Sequence, residues 1–392
     1  MNYRILFVLS LLLVNFTTQA QNDSTSQISL GGYVKFLQTA SFSGLDTFAD
    51  PLTQNLIHNR LNFKYFPNDN WTIAIEARNR IFYGEQVRFT PNYADQVDQY
   101  NGLVDLSVRW VEGEALLVHS IIDRAYVDYS SGKWQARIGR QRINWGVNLV
   151  WNPNDLFNAF NFLDFDYEER PGSDAIRLTY YPGVLSSAEV AFSPAQNIEE
   201  SVGAAMYKFN LKGYDVQVLS GYYRGDFALG AGWAGNLGQL GFKGEATWFT
   251  PLEPSADSVQ SLGISATTDY LFGNGFYLSG AFLYNSRGNV GGFGGSGGLF
   301  ASNITVSAKN LFPVEWAFVV QGSGNVTPLF STSGVIIYSP QNNLVAAIPT
   351  LTYSIKENWD IALVGQLFFM EIPQNDFRNL ANSLFFRIKW SY

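Results

Sequence analysis

The last ten residues of the chain, Ser383 to Tyr392, split into two faces with a period of two. Leu384, Phe386, Ile388, Trp390 and Tyr392 fall on one parity, and Ser383, Phe385, Arg387, Lys389 and Ser391 on the other. Successive side chains of a strand point to opposite faces, so this segment reads as a strand with one apolar face and one mostly polar face. The pattern recurs along the chain. Ile57, Leu61, Phe63 and Tyr65 oppose His58, Arg60, Asn62 and Lys64. Trp71, Ile73, Ile75 and Ala77 oppose Glu76, Arg78 and Arg80. Trp134, Ala136 and Ile138 oppose Lys133, Gln135, Arg137 and Gln141. Leu240, Phe242, Ala246 and Trp248 oppose Gln239, Lys243, Glu245 and Thr247. Aromatic residues often stand at the segment ends.

A soluble β-sandwich also alternates, and composition separates the two cases. Aromatic residues make up 16% of the chain and charged residues 15%, against roughly 25% charged in ordinary soluble proteins. That is too little charge to wet an outer surface. Beyond the N-terminal segment, no apolar run approaches the ~18 residues a membrane helix needs. A closed β-barrel is the non-helical structure that satisfies every backbone group in lipid. The expected fold is therefore all-β: a transmembrane antiparallel up-and-down barrel of about 16–18 strands.

Strands are expected near 28–39, 55–66, 70–83, 119–130, 132–142, 173–182, 185–193, 200–210, 213–224, 226–234, 237–249, 258–271, 275–285, 314–325, 330–339, 344–354, 358–370 and 381–392. Every second connection is usually long, and those between are tight: Pro67-Asn68-Asp69, Ser131-Gly132, Pro182-Gly183, Gly273-Asn274-Gly275 and Glu357-Asn358. That asymmetry matches short periplasmic turns and long outer loops. The least distinct element is the 213–234 hairpin, whose outer turn at Gly225 is very short. Without it the count is 16.

Residues 1–20 read as an export signal: Arg4, then the apolar run Ile5 to Val14, then Thr18-Gln19-Ala20 as the cleavage site. Residues 21–392 read as one barrel domain. The absence of cysteine excludes disulfides and thiolate metal sites. A net charge of −8 argues against a nucleic-acid partner.

The most distinctive stretch runs from strand into loop. It contains Gly139-Arg140-Gln141, Trp145-Gly146, Trp151-Asn152-Pro153-Asn154-Asp155, and the acidic run Asp164, Asp166, Glu168 and Glu169 before Arg170-Pro171-Gly172. The Gly-Arg-Gln strand end followed by Trp-Gly resembles alginate-export-type and related long-barrel porins of the Gram-negative outer membrane. The resemblance implies a barrel channel whose loop enters the lumen, and it names no substrate. The terminal aromatic strand is similar to the recognition signal of outer-membrane barrels, with Trp390 and Tyr392 as its outward residues.

Loops as long as 143–172 without regular structure are usually functional or disordered, and the aromatic content argues against disorder. Folded inward, its acids Asp155, Asp164, Asp166, Glu168 and Glu169 would face a wall of bases: Arg60, Lys64, Arg78, Arg80, Lys133, Arg137 and Arg177. Opposed charges at a narrow point set ion selectivity. The alternative is an outer lid with solvated acids. The acidic run lacks the glycine-centred loop of a calcium-binding hand. The glycine run 291–298 lacks the lysine and helix of a phosphate loop.

Catalysis has little support. His58 and His119 are the only histidines, and neither lies in a nucleophile motif. No cofactor is called for. The expected function is an outer-membrane channel for passive diffusion of small polar or charged solutes. The expected surroundings are outer-membrane lipid, lipopolysaccharide and the barrel-assembly machinery, with the chain a monomer or homotrimer. The competing reading is a non-conducting barrel acting as receptor, adhesin or export component.

Overall fold

The computed structural model describes residues 26–44, 50–98, 102–160, 162, 166, 170, 172–253, 259–288, 306–372 and 376–392. The signal reading at 1–20, Asp164, Glu168, Glu169 and the glycine run lie outside the described residues.

Alternation becomes strand along the chain. In order the strands are β1 Ile28–Phe42, β2 Leu52–Asn68, β3 Trp71–Gly84, β4 Ser107–Glu112, β5 Leu116–Ser131, β6 Trp134–Gln141, β7 Ser173–Gly183, β8 Ser186–Ser193, β9 Val202–Leu211 and β10 Tyr214–Tyr223. Then follow β11 Asp226–Leu237, β12 Leu240–Pro251, β13 Ser261–Leu271, β14 Tyr277–Asn285, β15 Trp316–Thr327, β16 Phe330–Ser339, β17 Leu344–Lys356, β18 Trp359–Ile372 and β19 Asp376–Ser391. All but β4 form a closed 18-strand antiparallel barrel. Closure is made by β1, which pairs with β2 on one side and with β19 on the other, from Tyr33 opposite Ser391 to Phe42 opposite Asn382. Every strand expected from the sequence is present, including the 213–234 hairpin. Its turn is Arg224-Gly225, with φ of 49° and 86°, the two-residue geometry that the strand twist favours.

The structure adds what has no period in the sequence. Two five-residue helices, Glu85–Phe89 and Tyr93–Val97, follow β3. Then β4 pairs with the upper part of β5, on the edge that β6 is too short to cover.

Outward residues are apolar and exposed, as at Ile138 and Ile336, each 56% exposed. So much contiguous apolar surface would be untenable in water and fits lipid. Aromatic pairs gird the tight-turn rim: Trp71 with Tyr129, Trp134 with Tyr180, Trp233 with Phe242, and Trp359 with Trp390. Where polar side chains do face outward they satisfy one another. Asn59 donates to the Tyr392 hydroxyl, Asn79 to Asn59, Ser120 to Asn79, and Trp110 to Ser120, as lipid requires. The Tyr392 hydroxyl in turn donates to the Arg60 carbonyl at 3.0 Å, passing Gly32, where any Cβ would collide with that oxygen.

Candidate functional site

The inner wall of β2, β3, β5 and β6 carries a network of charge. Arg60 reaches Asp123 at 2.7 Å and Glu76 at 2.6 Å, and Arg78 reaches the other oxygen of Asp123 at 2.8 Å. Arg137 pairs with Asp128 at 2.6 Å and lies over the Tyr126 ring. Arg80 donates to His119 Nδ1 at 2.9 Å, so His119 Nε2 donates to Asp98 at 3.0 Å. His58 stands edge-on to Tyr33. Arg177 lies opposite Arg137 in the β6–β7 register, and Lys64 is half-buried on the inward parity of β2. Lys133 is not on the wall. It sits in the turn between β5 and β6 and donates to the Pro182 carbonyl at 2.9 Å.

Arg60, Arg78 and Arg137 are answered by acids of the wall itself. The reason Asp123 escapes a parity reading is a bulge. Glu76 pairs with Arg124 and Ala77 with Ile122, so Asp123 has no cross-strand partner and both Asp123 and Arg124 are buried. An inserted residue shifts the strand's parity by one. Of the expected loop acids, Asp166 meets different bases from those named above. It binds Lys35 Nζ at 2.8 Å and approaches Arg387 at 3.8 Å, and its backbone carbonyl accepts from Lys35 at 2.9 Å. Asp155 is fully buried, and burial pushes its carboxyl up to about 7 against the pull of Arg142.

The Gly139–Gly146 motif is explained by close contacts. Gly139 has φ of 114°, and a Cβ there would lie 2.2 Å from the Ala125 carbonyl oxygen. Arg140 clamps Asp174 at 2.8 Å and the Ile122 carbonyl at 3.0 Å. Gln141 is buried and donates to the Ala175 carbonyl. The Trp145 indole N–H donates to Glu189, and its carbonyl accepts from Gln217 at 2.6 Å. A Cβ on Gly146 would overlap the Asn152 side chain.

After β6 the chain lies along the inner wall and travels round it. Asn154 donates to the Ala231 carbonyl on β11, and its side-chain oxygen accepts from Thr247 on β12. Glu245 on β12 accepts from the backbone N–H groups of Val147, Asn148 and Asn154. Ser265 on β13 accepts from Asn148 and donates to the Trp151 carbonyl. Val150 and Trp151 then enter an apolar cluster with Leu283, Val319, Ile337, Ile348, Val364 and Phe368 on β14 to β18. Asp166 meets β1 and β19, and Arg124 on β5 donates to the Arg170 carbonyl. A second segment enters from the connection between β14 and β15. Leu311 and Phe312 join the same cluster, with Phe312 6.0 Å from Trp151 between ring centroids.

With this geometry in place, the chain can be set beside known proteins. No protein-family model and no curated protein sequence matches it. Solved structures do. The outer membrane protein OprD from Pseudomonas aeruginosa matches with a TM-score of 0.59 at 9% identity, covering 93% of each chain. Pseudomonas aeruginosa OccK11 (OpdR) matches at 0.57 and 8%, covering 93% of this chain and 96% of that one. Acinetobacter baumannii OccAB4 matches at 0.57 and 9%, covering 95% and 100%. The chain has the fold of these barrels. The alginate-export-type likeness read from the Gly139–Gly146 motif finds no support in these matches.

Proposed function

We propose that the chain is an outer-membrane channel of the porin kind, passing small polar or charged solutes by passive diffusion, with segment 143–172 narrowing the passage. The observation that carries this reading is the pairing of an apolar, exposed outer face with an inner wall holding Lys35, Arg60, Arg78, Asp123, Asp128 and Arg137. Apolar outside and charged within is the arrangement of a barrel that encloses water. The OprD barrel bears the description outer membrane protein, and carrying that location to this chain is part of the proposal. Arg60, Lys64, Arg78, Arg80, Arg137 and Arg177 are assigned to the passage wall, with Asp155 and Asp166 on the segment that faces it. Trp390 and Tyr392 are assigned to recognition during barrel assembly.

The test is conductance of the purified, heat-modifiable barrel in a planar bilayer. Discrete conductance steps are expected. Asp166→Asn leaves Lys35 and Arg387 without that counter-charge, so it should move the reversal potential in a salt gradient toward anions; an unchanged potential would place Asp166 away from the ion path. The second reading, a non-conducting barrel, is favoured by the apolar cluster that Trp151 and Phe312 build within the barrel. A folded barrel that leaves the bilayer silent decides for it.

A further inference from the structure

Segment 142–160 has no regular secondary structure apart from turns, so its backbone N–H groups need acceptors from elsewhere. Asp155 N–H finds the Asn152 carbonyl, Leu156 N–H the Asn154 carbonyl, and Ile143 N–H the Asn158 side chain. Three more converge on a single side chain. Glu245 Oε1 accepts from Val147 and from Asn148 at 2.8 Å, and Oε2 accepts from Asn154 at 3.0 Å. The carboxylate is completely buried. Its two oxygens therefore tie together the two arms of a turn, residues 147–148 on one side and 154 on the other. Trp151, midway between them, is the residue that reaches the apolar wall.

We propose that Glu245 is the positioning residue of the passage: it fixes the inner segment against β12, and so sets the bore that the segment leaves. This rests on the reading that segment 143–172 narrows a conducting channel. The neighbouring contacts guide the segment without replacing this one. Gln217, Thr247 and Ser265 each bind one residue of the segment or two close together, whereas Glu245 alone among them joins both arms through backbone groups. A carboxylate suits the task because it only accepts, and its four lone-pair directions can take three converging donors. Glutamine cannot do the same. One end of its amide is a donor, and that donor would meet an N–H group.

Single-channel recording of the full chain tests the assignment. Glu245→Ala should raise mean conductance at least twofold and add open-channel noise. Glu245→Gln should fall between it and the wild type. The chain has no native cysteine, which permits a direct rescue. A Cβ on Gly230 would lie 2.6 Å from the Asn154 side-chain oxygen, so the pair Asn154→Cys and Gly230→Cys can be bridged. In the Glu245→Ala background, oxidation should restore quiet, wild-type conductance, and reduction should abolish it again. Deleting residues 147–154 separates the two levels of the claim. If the deletion raises conductance and Glu245→Ala does not, the segment narrows the pore but Glu245 does not hold it, and the assignment is overturned. If neither changes conductance, or the wild type does not conduct, the channel reading falls and takes the assignment with it. Gel heat-modifiability confirms that each recorded variant is a folded barrel. If Glu245→Ala does not fold, the deciding pair is Glu245→Gln and the cross-link, and a Glu245→Gln channel identical to wild type overturns the assignment.

Discussion

Midway along β2, β3, β5 and β6 the inward wall carries charge, with Arg60 and Arg78 sharing Asp123, Arg60 also meeting Glu76, and Arg137 meeting Asp128; toward the long-loop end Leu56, Phe82 and Leu117 pack under Val87 and Ala94 of the two short helices. On β14 to β18 the inward residues of the outer half are mostly apolar: Leu283, Ala317, Val319, Ile337, Ala346, Ile348, Val364 and Phe368 are all buried, with Asn285, Ser339 and Gln366 among them. The charges of the first half are paired within the wall, and the apolar residues beyond them are covered locally by the two short helices. The apolar half would present a dry, greasy surface to water, and it is the half that the inner segments cover with Val150, Trp151, Leu311 and Phe312. The difference explains why a loop that leaves the wall at β6 docks on the far side: its tip follows the hydrophobic effect, while its backbone follows the polar side chains of β10 to β13.

This contrast can be broken in several ways. The largest effect is expected at Asp123, whose loss takes from Arg60 and Arg78 the buried acid they share. Asp123→Leu should destabilise the barrel by about 3–5 kcal/mol in denaturant unfolding from micelles, and adding Arg60→Met and Arg78→Met should recover most of it. If Asp123→Leu alone is harmless, water or another acid already balances those guanidiniums. On the outer face, Phe386→Arg near the midplane should cost about 2–4 kcal/mol, while Lys389→Leu, inward on the same strand, should cost little; equal costs would mean that the inward and outward parities of β19 are reversed. The apolar half should tolerate trimming better than the charged half tolerates losing a charge. Ile337→Val should cost about 0.5–1.5 kcal/mol by the same measurement, and a larger loss would point to a tighter fit than its neighbours suggest.

The smallest effect concerns pH. Asp155 has its carboxyl raised to about 7 by burial, so the seated segment binds a proton more tightly than the free one. Stability of the seat should be full below about pH 4 and should decline as pH rises through 7. Open-channel noise should therefore increase between pH 5 and pH 8. Asp155→Asn should flatten that dependence, and a variant that keeps the full pH response would assign it to another group.

Much of this fold was legible because the inward and outward faces differ wherever the lumen is charged. Parity alone puts Arg60, Arg78 and Arg137 on the face opposite the apolar residues of their strands. The failures have local causes. Asp123 hides behind a bulge that shifts parity by one residue. Glu85–Phe89 and Tyr93–Val97 fold into short helices and Ser107–Glu112 into β4, elements too brief to leave a period. The resemblance drawn from Gly139 to Gly146 rests on residues that close contacts require, namely a glycine at φ 114° and another beneath Asn152, and such requirements do not single out one kind of barrel. Glu245 stood on the inward parity of its strand, but nothing in the sequence could reveal its role. Its partners are backbone N–H groups nearly a hundred residues earlier, and backbone groups are the same whatever the side chain.

The route of the inner segment has a mechanical side. A chain fixed to β12 through Glu245, to β1 through Lys35 and to β5 through Arg124 lines the ring from within like an inner hoop. A barrel without such a brace can flatten by bending at the joints between strands while keeping its ladder hydrogen bonds and register. Braced from within, the cross-section resists becoming an ellipse, and the opening keeps its area. Stretching or thickening the membrane should then alter the conductance of a chain lacking residues 147–154 more than that of the intact chain.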